Sequence, residues 1–168
     1  MAGFGEPGVS IVDASGLTVG VVAARWHASL VDTMLTRALA AADACGVADV
    51  RVARVAGSVE LPILAQALAR RCDAVLALGV VVRGATAHFD YVCKSVTEGL
   101  TRVSLDESTP VGHGVLTVET VEQARDRAGL PGSVEDKGWS AMVAVLDAAL
   151  ALRTLAAVAG ASGSPAAT

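Results

Sequence analysis

Trp26, the run Ser58-Val59-Glu60, the turn Gly84-Ala85-Thr86 and His88 are the residues of this chain best suited to hold and convert a small molecule. The indole of Trp26 offers a flat face for stacking a planar ring. Glu60 can accept hydrogen bonds from hydroxyl groups. Gly57 and Gly84 let backbone approach a ligand closely. Backbone N–H groups around Ala85 and Thr86, just ahead of a helix, suit an anion such as phosphate. His88 can move protons near neutral pH. Each residue taken singly also has a plainer use. Trp26 fits a packing residue of a core or interface, Gly57-Ser58 an ordinary turn, and His88 a solvated residue at a helix start. Arg83 reads as a member of a structural ion pair and His27 as a surface neighbour of Trp26.

The elements that must position these residues follow a strand–helix rhythm. Leu17 to Ala24 reads as a strand of small apolar residues. From Ala28 the spacing becomes helical, with Val31, Leu35, Ala38 and Ala42 on one face, and Cys45-Gly46 closes that helix. Val50 to Val55 reads as a strand. Leu61-Pro62 opens a helix to about Arg71, with proline in its first turn. Asp73 to Val82 is the most apolar strand and is expected to be central. Val92, Val96, Leu100 and Val103 form the stripe of the next helix. Pro110 to Thr117 is a further strand. Thr120 with Gln123 fits a capping box for a short helix ending at Gly129. After a loop from Leu130 to Glu135, Trp139, Met142, Leu146 and Leu150 share one face of a last helix.

This alternation predicts a three-layer, doubly wound α/β domain around four parallel strands. It is expected over residues 16–160, with an arm at 1–15 and a flexible tail at 161–168. Ligands of such folds sit beyond the carboxyl ends of the strands. Four strand ends carry the unusual content: Arg25-Trp26-His27, Gly57 to Glu60, Arg83 to His88, and a fourth near His113 that leads on to Arg127 and Lys137. No G-x-G-x-x-G follows the first strand, which argues against a dinucleotide fingerprint.

Composition narrows the function classes. The chain has 168 residues, 53% of them hydrophobic and 3% aromatic, so its core is built from Ala, Val and Leu. That apolar surplus points to surface buried between subunits. A net charge of −4 without a basic run argues against nucleic acid. The longest clean apolar run, Ala74 to Val82, has strand length, and Asp147 and Arg153 interrupt the last helix, so no membrane span is expected. The N-terminus lacks the pattern of a secretory signal. Cys45, Cys72 and Cys93 are odd in number and widely spaced, which fits free thiols in a reducing cytoplasm. His27, His88 and His113 are equally dispersed, and no metal-ligand spacing occurs.

The order Trp26, GSVELP (57–62), GVVVRGATAHFDYV (79–92), PVGHGVLT (110–117), EQARDRAG (122–129) and DKG (136–138) resembles the lumazine synthases over roughly residues 15 to 155. The resemblance implies a flavodoxin-like fold and a transferase of riboflavin biosynthesis that uses no metal and no organic cofactor. Its substrates would be 5-amino-6-ribitylamino-uracil and 3,4-dihydroxy-2-butanone 4-phosphate. By position, Trp26 resembles the ring that stacks on the pyrimidine. Ser58, Val59 and Glu60 resemble the segment that holds the ribityl chain, and Val80, Val81 and Val82 the backbone edge that hydrogen-bonds the pyrimidine. Ala85 and Thr86 resemble the phosphate turn, Arg127 its charged partner, His88 the proton-transfer residue and Lys137 a contact on the ribityl side. The family's sites lie between adjacent subunits, so His113, Arg127 and Lys137 would come from a neighbour. Two positions depart from the common pattern: Ala85 is often Gln, and His113 is commonly Phe or Asn. The resemblance implies a pentamer. The loop from Leu130 to Glu135, longer than in shell-forming members, favours a free pentamer or a decamer. The alternative is an assembly of the same fold that binds a lumazine or flavin, or serves as a scaffold, without catalysis. A riboflavin synthase of the archaeal type fits less well, since it has no use for phosphate-site residues.

Overall fold

The computed structural model describes residues 10–161. The arm at residues 1–9 and the tail at 162–168 lie outside the described residues. Four strands form one all-parallel sheet: β1 (Thr18–Ala24), β2 (Asp49–Val55), β3 (Ala74–Val82) and β4 (Val111–Val118), in the order β2-β1-β3-β4. The helices are α1 (Ala28–Ala44), α2 (Leu61–Ala69), α3 (His88–Asp106), α4 (Val121–Arg125) and α5 (Lys137–Ala161). This is the expected α/β architecture, with β1 and β3 at its centre.

Alternation along the strands divides the core between the two faces. Val19, Val21 and Ala23 of β1 join Leu76, Leu78 and Val80 of β3 against α1 and α5. Val22, Ala24, Val75 and Ala77 point the other way, against α2 and α3. A strand buried on both faces has no polar side to show, which is why β3 is the most apolar stretch of the chain. The stripe expected on α3 is buried at Val96, Leu100 and Val103, and Val92 is half-buried.

Two elements differ from their sequence expectations. The helix after β4 ends at Arg125, not at Gly129. Its cap is also only half of a capping box. Thr120 Oγ1 accepts from the Gln123 N–H at 3.3 Å, but the Gln123 side chain accepts from the Glu119 N–H at 2.9 Å, one residue further back. The second difference is α5. The segment Lys137–Val158 is long and apolar enough to cross a membrane by length and composition, with a mean hydropathy of 1.9 over its best window. Two charges were expected to interrupt that run, but one span-length window tolerates both. In this fold the first half of the helix is a core element, with Met142, Val143, Val145, Leu146 and Ala149 buried. Asp147 and Arg153 face solvent. The start of α5 is fixed by Gly138, where any Cβ would collide with the Met34 carbonyl oxygen on α1. Of the arm, residues 10–15 are described, and Ala14 is fully buried, its N–H donating to the Cys45 carbonyl at 2.8 Å.

Candidate active site

The carboxyl ends of the strands do not finish together, and that mismatch makes the site. The ladder between β1 and β3 stops at the pair Ala23–Leu78, yet β3 runs on to Val82. The last four residues, Gly79 to Val82, stay paired with β4 on one side only, up to Val82–Val118. On the β1 side their peptide groups meet no strand. Backbone donors and acceptors in a recess demand partners, and a planar molecule with N–H and C=O groups along one edge can supply them.

β1 leaves this edge at Ala24 through a bend. The Arg25 N–H donates to the Val55 carbonyl at 2.9 Å and the Trp26 N–H to the Ala56 carbonyl at 3.2 Å. His27 then adopts a left-handed backbone with φ 54°, a conformation uncommon outside glycine. The result throws the indole outward, and Trp26 is 71% exposed.

After β2 the chain forms a 3-10 turn over Ser58–Glu60 that runs straight into α2. The Glu60 carboxylate folds back to accept from the Gly57 N–H at 2.8 Å, which fixes the turn. Ser58 is buried at 7% exposure, and its hydroxyl has no hydrogen-bond partner in the protein. This hydroxyl lies where a Cβ on Gly79 would stand, 2.7 Å away, so only glycine allows β3 to pass so close.

The third wall follows β3. Gly84 to Ala87 form an exposed turn, and α3 begins at His88 without a side-chain cap. The first N–H groups of an uncapped helix stay available to an anion.

These three segments enclose a cavity of about 380 Å³, a size suited to a small organic ligand. It is lined by nine of the expected residues: Trp26, Ser58, Val59, Glu60, Val80, Val81, Val82, Thr86 and His88. His27, Phe89 and Val92 line it as well, none of which the sequence reading placed there. His27 read as a surface neighbour. Phe89 follows His88 in the motif, and its being the one aromatic next to a candidate catalytic histidine was the available signal.

Four expected residues lie outside that lining. Ala85 belongs to the same turn as Thr86. His113 requires a correction, because it does not sit at a strand end. It pairs with Ala77, five positions before Val118, where β4 ends, which is roughly 16 Å short of the carboxyl edge at ~3.3 Å per residue. β4 begins and ends one residue later than the expected strand, and His113, which lay inside that expected strand too, falls in the amino half of an edge strand. There its ring approaches Thr97 Oγ1 of α3 at 3.4 Å. The ring keeps an exposed face while protein crowds the other, and this loss of water holds its pKa below the ordinary histidine value.

Arg127 and Lys137 form a second cluster beyond β4. Both meet Glu135, Arg127 Nε at 3.6 Å and Lys137 Nζ at 2.6 Å. The hydrogen bond from Lys137 is the main reason that the Glu135 carboxyl lies below its usual range. Backbone pairing of Lys137 N–H to the Arg127 carbonyl at 3.0 Å keeps the two cations adjacent. Asp136 caps α5 through the Trp139 N–H at 3.0 Å and pairs with Arg37. The motif Asp136-Lys137-Gly138 thus supplies a cap, a cation and a close helix contact in three consecutive residues.

The family model for 6,7-dimethyl-8-ribityllumazine synthase matches residues 16–153. The chain is 80% identical to the 6,7-dimethyl-8-ribityllumazine synthase of Salinispora arenicola over 156 residues, 93% of this chain and 94% of that protein. It is 64% identical to the synthase of Thermobifida fusca, over 92% of this chain and 91% of that protein. This chain belongs to the 6,7-dimethyl-8-ribityllumazine synthase family. The synthase of Saccharopolyspora erythraea, 59% identical over 92% of this chain, is similar along the same length. Lumazine synthases are transferases of riboflavin biosynthesis. Membership assigns to this chain the condensation of 5-amino-6-ribitylamino-uracil with 3,4-dihydroxy-2-butanone 4-phosphate to 6,7-dimethyl-8-ribityllumazine.

Proposed function

We propose that the cavity at the β1–β3 overhang is where this condensation takes place. The observation that carries the reading is the one-sided edge of Gly79 to Val82, flanked by Trp26 and the Gly57–Glu60 turn. The pyrimidine stacks on Trp26 and pairs with the backbone of Val80, Val81 and Val82. Ser58, Val59 and Glu60 receive the ribityl chain. Ala85 and Thr86 cradle the phosphate with the N–H groups ahead of α3.

The amine on the pyrimidine attacks the ketone of the phosphosugar, and a Schiff base forms with loss of water. Phosphate leaves, the enol tautomerises, and the ribitylamino nitrogen closes the ring with loss of a second water. His88 shuttles the protons. Holding two substrates in register is worth as much as ~7–11 kcal/mol in well-oriented cases.

Among the described residues, no lysine or arginine of one chain lines the cavity, although one substrate carries a phosphate. This supports a site completed by an adjacent copy that brings His113, Arg127 and Lys137. The protein then works as a pentamer or a decamer in the cytoplasm, with two small-molecule substrates, and without nucleic acid, membrane, metal or organic cofactor.

The test is the absorbance and fluorescence of 6,7-dimethyl-8-ribityllumazine formed by purified protein from both substrates. A rate well above the spontaneous background is expected. Binding of the pyrimidine without acceleration would move the protein to a binding or scaffold role. A normal rate from a Val59→Trp variant, with its cavity obstructed, would displace the reaction from this site.

A further inference from the structure

Arg83 stands between β3 and the phosphate turn, and it touches both the start of α3 and the end of β4. Its guanidinium donates to both Asp90 carboxylate oxygens, at 3.2 and 3.0 Å. Its Nε reaches Glu119 Oε2, just past β4, at 2.7 Å. The planar group lies over the Phe89 ring with 4.1 Å to the centroid. The Arg83 N–H donates to the Val118 carbonyl at 2.9 Å, which ties the same residue to the end of β4. Phe89 in turn lines the cavity. Two carboxylates therefore neutralise the arginine nearest the anion cradle, and hydrogen bonds to Asp90 first and Glu119 second hold its pKa well above the ordinary value.

We propose that Arg83 is a positioning residue for the condensation: clamped by Asp90 and Glu119 and laid on Phe89, it fixes the Gly84–Thr86 turn and the start of α3 without binding the phosphate itself. The inference rests on the reading of that turn as the phosphate site. An arginine suits this role because its planar fork satisfies two carboxylates while its face covers a ring, a combination lysine lacks. The double neutralisation has a use. A bare arginine at this point would attract the phosphate away from the helix N-terminus, and would hold the departing phosphate after the reaction.

The experiment measures kcat, both KM values, and competitive inhibition by inorganic phosphate for wild type, Arg83→Gln, Arg83→Lys, Glu119→Gln and Arg127→Ala. For Arg83→Gln, the KM of the phosphosugar is expected to rise about tenfold and kcat to fall, with a smaller change in the KM of the pyrimidine. Arg83→Lys is expected to restore less than half of that loss. Glu119→Gln alters an exposed residue and keeps the fold. It partly uncovers the cation, so inorganic phosphate is expected to inhibit at several-fold lower concentration. Arg83→Gln with both KM values and kcat within twofold of wild type would overturn the proposal. So would full rescue by lysine, or phosphate inhibition by Glu119→Gln identical to wild type. If Arg127→Ala also leaves the phosphosugar KM unchanged, the fault lies in the reading of the site. If only the Arg83 variants are silent, it lies in the role given to Arg83. Should Arg83→Gln not fold, the Glu119→Gln result decides.

Discussion

His88 opens α3 at the mouth of the cavity, exposed to solvent and one residue before the ring that Arg83 covers. General acid–base catalysis contributes typically ~10²–10⁴-fold. His88→Ala is therefore expected to lower kcat by about two orders of magnitude and to leave a measurable rate, since orientation of the two substrates survives. Unchanged turnover at saturating substrate would remove the histidine from the reaction. His113 yields a different expectation. Its pKa is depressed from 6.5 by crowding, so the unfolded chain binds the proton more readily than the native one. Native stability is then complete above about pH 6.5 and declines as pH falls toward the depressed value. Chemical denaturation of His113→Asn across that window should show a flatter pH dependence than wild type; equal slopes would assign the effect elsewhere.

Most elements were legible because their burial is periodic. The stripe Val96, Leu100 and Val103 of α3 and the unbroken apolar run of β3 report their surroundings directly. The short helix after β4 was less so. Its end is set by backbone bonds that return from Glu135 to Asp126 and Gly129, and these long-range pairings leave no local pattern. His113 lay inside the expected strand already, so its distance from the carboxyl end followed from bounds that the structure shifts by only one residue. The strand-end cavity was readable from residue types, whereas the clamp of Arg83 on Glu119 joins positions 36 residues apart and was visible only as an unspecified ion pair. At this scale Gly79 makes a sharp test. A methyl group there meets Ser58 Oγ at 2.7 Å and Leu61 Cδ1 at 3.2 Å, so Gly79→Ala is expected to cost ~1–3 kcal/mol by overpacking. Urea unfolding should show a lower midpoint at constant slope. A midpoint equal to wild type would mean that the turn yields freely.

Across the whole molecule, apolar surface remains uncovered. Ile63, Leu105, Leu152, Leu155 and Val158 are each exposed by 45% or more, and the last three continue along α5 beyond its buried half. Such a surplus in a chain that is 53% hydrophobic supports assembly. Light scattering is expected to give five or ten times the 16.8 kDa of one chain; a megadalton particle would establish a closed shell instead. The overhang of β3 past β1 has a consequence for how this protein tolerates change. A heterocycle read by main-chain groups is read by atoms that all residues share. Replacing Val80, Val81 or Val82 with another strand former alters a wall but leaves the letters of that reading intact. Lengthening β1 by a few paired residues would erase them, though no residue of the recess had changed. On the proposed reading of the site, recognition is stored as a difference in strand length, beyond the reach of most single substitutions.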